Sequence, residues 1–275
     1  MKTDPASHPI GVFDSGIGGL TVVASLQDLL PSENIFYIGD TARVPYGGKS
    51  RRTVERYSTE IGGLLLAEQA KIIVVACNTA SALAVPRMQE IFKVPVQGVV
   101  APGASAAVKA TKNKHVGVIG TRATISSGAY EHAINGLAPD IEVHSVACPL
   151  LVPLIEEAMF DDNVTDLMLA RYLAPLLDKG IDTLVLGCTH YPLLKQALAR
   201  TVGPDVTLVD SAQNCALAVQ DVLHKYNIAA PSERLGKLDV ALTDSTEGFL
   251  RTAAKALDLE IGDITLRSVQ PADKP

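Results

Sequence analysis

Short runs of β-branched and apolar residues recur along this chain, and they do not alternate with polar residues. IIVVA at 72–76, VGVIG at 116–120 and TLVLG at 183–187 are apolar on both faces of any strand they form. A strand with one face in water alternates, whereas a strand covered on both faces does not, and covered strands belong to parallel sheets. Amphipathic stretches lie between the runs. Residues 19–30 carry Leu20, Val23, Leu26 and Leu30 near helical spacing and stop at Pro31. Residues 51–69 follow Ser50 as an N-cap, and 164–178 repeat Leu167, Leu169, Leu173, Leu176 and Leu177. Strands are expected at 10–14, 35–39, 72–76, 96–100, 116–120, 142–146, 183–187, 206–209, 238–242 and 264–267. Strand–helix alternation of this kind predicts an α/β fold with mostly parallel sheet.

A chain of 275 residues has room for two domains. Apolar residues make up 47% and charged residues 20%, which is a globular composition. The net charge of −6 gives no electrostatic reason to expect nucleic acid or an anionic membrane as a partner. The N-terminus MKTDPASHPI has no apolar signal region, and no run of about 18 apolar residues occurs. A soluble, cytoplasmic protein is expected. Its four cysteines, Cys77, Cys148, Cys188 and Cys215, are then expected to be reduced, and no C-x-x-C pair occurs. Cys148 and Cys215 read as small buried hydrophobes, the ordinary fate of a lone cysteine.

The other two cysteines share a context. VVACNTAS at 74–81 and VLGCTHYP at 185–192 each end an apolar run in cysteine, followed by small polar residues and a helix. Ligands of parallel α/β sheets sit at the carboxyl ends of strands. A helix N-terminus there lowers a thiol pKa. Asn78 or Thr79 is expected to cap a helix over 80–90, and Thr189 the helix after Cys188, with Pro192 in its first turn. A disulfide is disfavoured in the cytosol, and acyl transfer needs one nucleophile rather than two. Inversion at a carbon needs two groups, one removing a proton and the other delivering one to the opposite face.

Asp14 ends a strand before a glycine-rich turn, either as a turn residue or as a proton relay beside a cysteine. His190 stands two positions from Cys188, as a capping residue or as a group tuning that thiol. No further ligands at suitable spacing support a metal held by Cys188 and His190. The turn FDSGIGG (13–19) does not fit G-x-G-x-x-G, because Thr21 takes the third glycine position, and no Walker motif occurs. Its glycines can instead bring backbone amides close to a carboxylate. With Ser15, Asn78, Thr79 and Thr189 they make a donor set suited to a small zwitterionic ligand.

FDSGIGGLTV, GDTARVPYGGKS, ACNTAS and GCTHYPLL, in this order and spacing, closely resemble the motifs of the glutamate racemases, a group of cofactor-independent amino-acid racemases. The resemblance covers nearly the whole chain. It implies two pseudo-symmetric α/β domains around a cleft, the first formed by 1–98 with 211–275 and the second by 99–210, the APG at 101–103 being a plausible crossing. Cys77 is then the base for D-glutamate and Cys188 the base for L-glutamate. Asp14 assists Cys77, while His190 assists Cys188 with Glu156 behind it, although Glu157 is adjacent. Substrate contacts fall on Asp14, Ser15, Pro45, Tyr46, Gly47, Asn78, Thr79, Thr121, Thr189 and His190. Pro45–Gly48 also reads as a plain turn, and Thr121 as a strand end. No cofactor, a homodimer and D-glutamate supply for peptidoglycan are also implied. Ala158 departs from the glycine that many members carry after the acidic pair. Only nine residues precede Ile10, so regulation by a peptidoglycan precursor is not expected. A racemase of another amino acid such as aspartate, and a non-catalytic two-lobed binding protein, remain as rival readings. Retention of both thiols disfavours the binder.

Overall fold

The computed structural model describes residues 5–232, 235–244 and 264–269. Parts of the expected first domain, at 1–4, 233–234, 245–263 and 270–275, lie outside the described residues. The strands are β1 Ile10–Asp14, β2 Ile35–Gly39, β3 Ile72–Val75, β4 Val96–Gly98, β5 His115–Gly120, β6 Glu142–Ala147, β7 Thr183–Gly187, β8 Thr207–Asp210, β9 Leu238–Leu242 and β10 Ile264–Leu266. Each falls within two residues of its expected ends. The helices are α1 Leu20–Leu29, α2 Arg51–Ala67, α3 Asn78–Ile91, α4 Val100–Ala110, α5 Arg122–Ser126, α6 Ala129–Leu137, α7 Leu151–Glu156, α8 Asn163–Leu177, α9 Lys195–Val202 and α10 Ser211–Tyr226. None among the described residues is long and apolar enough to cross a membrane.

The strands form two sheets, ordered β10-β9-β2-β1-β3-β4 and β6-β5-β7-β8. Every pairing among the described strands is parallel. Both sheets are covered on two faces, which is why their central strands are apolar except at their ends. In the first sheet, α1 and α10 pack on one face through Leu20, Leu26, Val219 and Leu223, and α2 and α3 on the other through Ile61, Leu65 and Met88. In the second, α8 and α9 lie on one face and α4 and α6 on the other. Each fully buried Leu or Ile contributes about 1.5–3 kcal/mol relative to exposure.

The orders β2-β1-β3-β4 and β6-β5-β7-β8 are the same arrangement twice. In each, the chain lays its second strand on one side of the first and its third strand on the other. The gap between first and third strands, β1/β3 in one sheet and β5/β7 in the other, is the switch point where ligands of such sheets bind.

The chain passes from the first sheet to the second through α4. Residues 101–103 are therefore helical rather than a loop, because Pro102 stands in the first turn, where no backbone N–H is needed for an intrahelical bond. Ser50 caps α2 as expected, its side chain accepting from the Thr53 N–H.

Candidate active site

Cys77 follows β3 and Cys188 follows β7, so the two thiols occupy the same position in the two copies of the arrangement. Both line one buried cavity of about 30 Å³. Ser15, Pro45, Tyr46, Gly47, Asn78, Thr79, Thr121, Thr189 and His190 line it too, joined by Val44 and Val152. Asp14 is fully buried at the end of β1, and Glu156 stands behind His190.

The caps differ from the expected ones. Neither Asn78 nor Thr79 caps α3. The helix begins at Asn78, and Cys77 itself is the N-cap, its sulfur accepting from the Ala80 N–H at 3.4 Å. The thiol also lies 3.6 Å from the Ser15 hydroxyl oxygen, to which it donates. The N–H accepted from Ala80 favours thiolate, as the sequence suggested, but burial is larger. Burial, with the charge of Asp14 adding to it, pushes the Cys77 thiol up to about 12. The hydrogen bond and helix end position the sulfur without making it acidic in this closed site.

After Cys188 the backbone enters a 3₁₀ turn over Tyr191–Leu194 before α9, with Pro192 in the turn. His190, not Thr189, occupies the N-cap position, and its side chain makes no capping bond. Thr189 donates instead to Asp14 Oδ1 at 3.4 Å. His190 directs Nδ1 at Cys188 Sγ, 3.9 Å away, and Nε2 at Glu156 Oε1, 3.5 Å away, an ion-pair distance. Burial alone depresses an imidazole. Here the Cys188 and Glu156 contacts and the charges of Cys188 and Asp14 outweigh it and lift His190 to about 10. Asp14 is itself raised by burial, against the charge of His190 and backbone N–H groups of the turn.

The glycine turn serves this packing. The backbone amide of Gly16 donates to Asp14 Oδ2 at 3.1 Å, so a carboxylate that the turn holds is the protein's own. A Cβ on Gly18 would lie 2.6 Å from His190 Nδ1, and one on Gly19 would lie 2.6 Å from Asp14 Cβ. On the cavity wall, Asn78 accepts from the Tyr130 hydroxyl at 2.6 Å and keeps a buried Nδ2 with no partner among the described residues. The hydroxyls of Thr79, Thr121 and Thr124 lie within 2.9–3.2 Å of one another. A group of neutral donors therefore faces the two thiols.

A protein-family model for Asp/Glu/Hydantoin racemase matches residues 20–219. The chain belongs to that family. It is 48% identical over 255 residues to a glutamate racemase of Geobacter metallireducens, covering 93% of this chain and 94% of that one. Among solved structures, a glutamate racemase of Bacillus anthracis superposes with TM-score 0.89 at 40% identity, covering 96% of this chain and 97% of that one. A Francisella tularensis glutamate racemase, solved in complex with D-glutamate, gives TM-score 0.90 at 38% identity, covering 96% and 98%.

In this family member, sequence reasoning missed a group behind the cavity. Asp40 is fully buried and accepts from the Tyr46 hydroxyl, from Arg43 Nε at 2.7 Å and from the Thr243 hydroxyl at 2.9 Å. Arg43 also pairs with Glu60 and lies 4.1 Å over the Tyr57 ring. The network fixes the segment Tyr46–Gly48, where a Cβ on Gly47 would lie 2.6 Å from Thr121 Cβ. Asp40 and Arg43 stand within GDTARVPYGGKS, so an acid and a base three residues apart in that motif were the available signal. Cys148 and Cys215 are fully buried in the cores, pushed up to about 12 by burial.

Proposed function

We propose that this chain interconverts L- and D-glutamate by a two-base mechanism. The observation that carries the reading is the placement of Cys77 and Cys188 at equivalent switch points on one cavity. The thiolate of Cys188 takes the α-proton of L-glutamate, and the Cys77 thiol delivers its own proton to the opposite face, giving D-glutamate. Each turnover exchanges the protonation of the two sulfurs, and the reverse reaction uses Cys77 as base and Cys188 as acid. His190, charged and backed by Glu156, stabilises the Cys188 thiolate, while Asp14 assists on the Cys77 side. The α-proton is a far weaker acid than a thiol, so preorganised donors must stabilise the charge that develops as it leaves. Asn78 Nδ2 and the Thr79, Thr121, Thr189 and Ser15 hydroxyls suit the substrate carboxylates, with Pro45, Tyr46 and Gly47 closing over them. No cofactor enters this scheme.

The same reading makes 1–98 with 211–275 one domain and 99–210 the other. It also gives a cytoplasmic homodimer supplying D-glutamate for peptidoglycan, with the dimer checked by sedimentation velocity. The decisive experiment incubates the purified protein with L-glutamate in D₂O, and with L-aspartate in parallel. Deuterium entry at the α-carbon with loss of optical rotation for glutamate alone is expected. Inversion of aspartate instead would transfer the reading to another substrate, and no exchange with either, from folded protein with reduced thiols, would overturn it.

A further inference from the structure

The second sheet carries a cluster of ligating groups at the end away from the thiols. His115 begins β5 and Glu142 begins β6, and the two are register partners. His144 lies two residues further along β6, hence on the same face as Glu142. The cavity with Cys188 lies at the carboxyl ends of these strands.

His115 Nδ1 and His144 Nε2 are 3.7 and 3.8 Å from Glu142 Oε2, and one ligand atom from each of the three residues lies within 4.8 Å of the others. Those separations are too long for hydrogen bonds. They are a few tenths of an ångström above the roughly 3.4 Å that separates neighbouring donors around a tetrahedral ion bound at about 2.0–2.1 Å. Both nitrogens are also buried and have no hydrogen-bond partner among the described residues. Two buried nitrogens without hydrogen bonds, each at ion-pair distance from one carboxylate oxygen, are a pattern that a shared cation resolves.

We propose that His115, Glu142 and His144 bind a divalent transition-metal ion of the zinc type. Two imidazoles and one carboxylate select zinc, nickel or copper over magnesium or calcium, which take oxygen donors. The rings now stack at 7° with centroids 5.8 Å apart, so their in-plane lone pairs do not yet meet at a point. A turn about χ2, a broad torsion in histidine, closes the site. The His115 side chain is 36% exposed and has the room to turn. Water completes the coordination. The ion clips β6, an edge strand, to β5, and so stabilises the second sheet without touching the thiols.

The test uses the tag-free full chain with Cys77→Ser and Cys188→Ser, which removes the cavity thiols as competing soft ligands. Cobalt(II) is the probe. One equivalent should bind, giving visible d–d absorption without a thiolate charge-transfer band, and zinc should displace it while magnesium should not. Zinc should also raise the thermal midpoint. His115→Ala and His144→Ala, made separately in that background, should each abolish the saturable signal and the zinc-induced rise, while the metal-free midpoints confirm that they fold. Absence of saturable cobalt binding in the parent would overturn the proposal. So would binding that survives both histidine substitutions.

Discussion

The two thiol sides of the cavity stand on the same topology and are built differently. Cys77 caps a 14-residue helix, takes a backbone N–H and faces a buried carboxylate, Asp14. Cys188 precedes a 3₁₀ turn and faces an imidazole that is itself held by Glu156. Repetition of the strand order fixes where the two sulfurs stand. It leaves their neighbours free to differ, so one thiol lies near a buried carboxylate and the other beside an imidazole.

The largest test of that contrast removes either sulfur. Cys77→Ser and Cys188→Ser should each lower racemisation on the order of 10²–10⁴-fold, followed by circular dichroism of glutamate. Equal loss is required for kcat/KM in both directions, because the enantiomers have equal free energy. His190→Asn should cost about 10²-fold, near the low end of general acid–base effects. Its one-sidedness should appear as a larger primary isotope effect from α-deuterated L-glutamate than from the D form. Equal isotope effects would remove His190 from the Cys188 side.

Asp14→Asn removes a negative charge that holds Cys77 up, so alkylation of Cys77 should move to lower pH, read by mass spectrometry of labelled peptides. A stability measurement separates the sides by pH window. The folded value of His190 is raised from 6.5 to about 10, so its contribution is fully present below pH 6.5 and lost as pH rises through about 10. For Cys77 the corresponding loss runs from 9.0 to about 12. Thermal midpoints of His190→Asn against the parent should therefore converge in the lower window, and those of Cys77→Ala in the upper one. The smallest effect belongs to Glu156→Gln, about threefold in kcat, because this carboxylate is 38% exposed and its ion pair is partly screened. Glu157→Gln should be silent, since the pairing with His190 runs through its neighbour.

The strands were legible because burial on both faces leaves apolar runs such as IIVVA and TLVLG, which few other environments produce. The repeated strand ending made Cys77 and Cys188 visible together, whereas their roles came from the family resemblance. Ser50 was read correctly as a cap, but the caps after the two cysteines were misread, because capping turns on the backbone angles of single residues and no composition rule anticipates a cysteine as its own helix's N-cap. Tyr130 and Glu60 went unseen because each meets its partner across the fold, Tyr130 at Asn78 and Glu60 at Arg43. The His115–Glu142–His144 cluster was hidden similarly, since its members come together only when β5 and β6 pair in register.

The cavity between the thiols holds about 30 Å³, and Gly47 packs closely against Thr121 in its wall. That is room for a water molecule or two, not for an amino acid. A ligand of that size needs Tyr46–Gly48 and Thr121 to stand apart, so only molecules in such an open arrangement would take it up. Its apparent dissociation constant is the intrinsic one divided by the fraction of molecules that are open. A substitution that loosens the Gly47–Thr121 contact would therefore tighten apparent affinity without adding any contact to the ligand. Compounds sought against this cavity are best screened against that open population rather than the closed one.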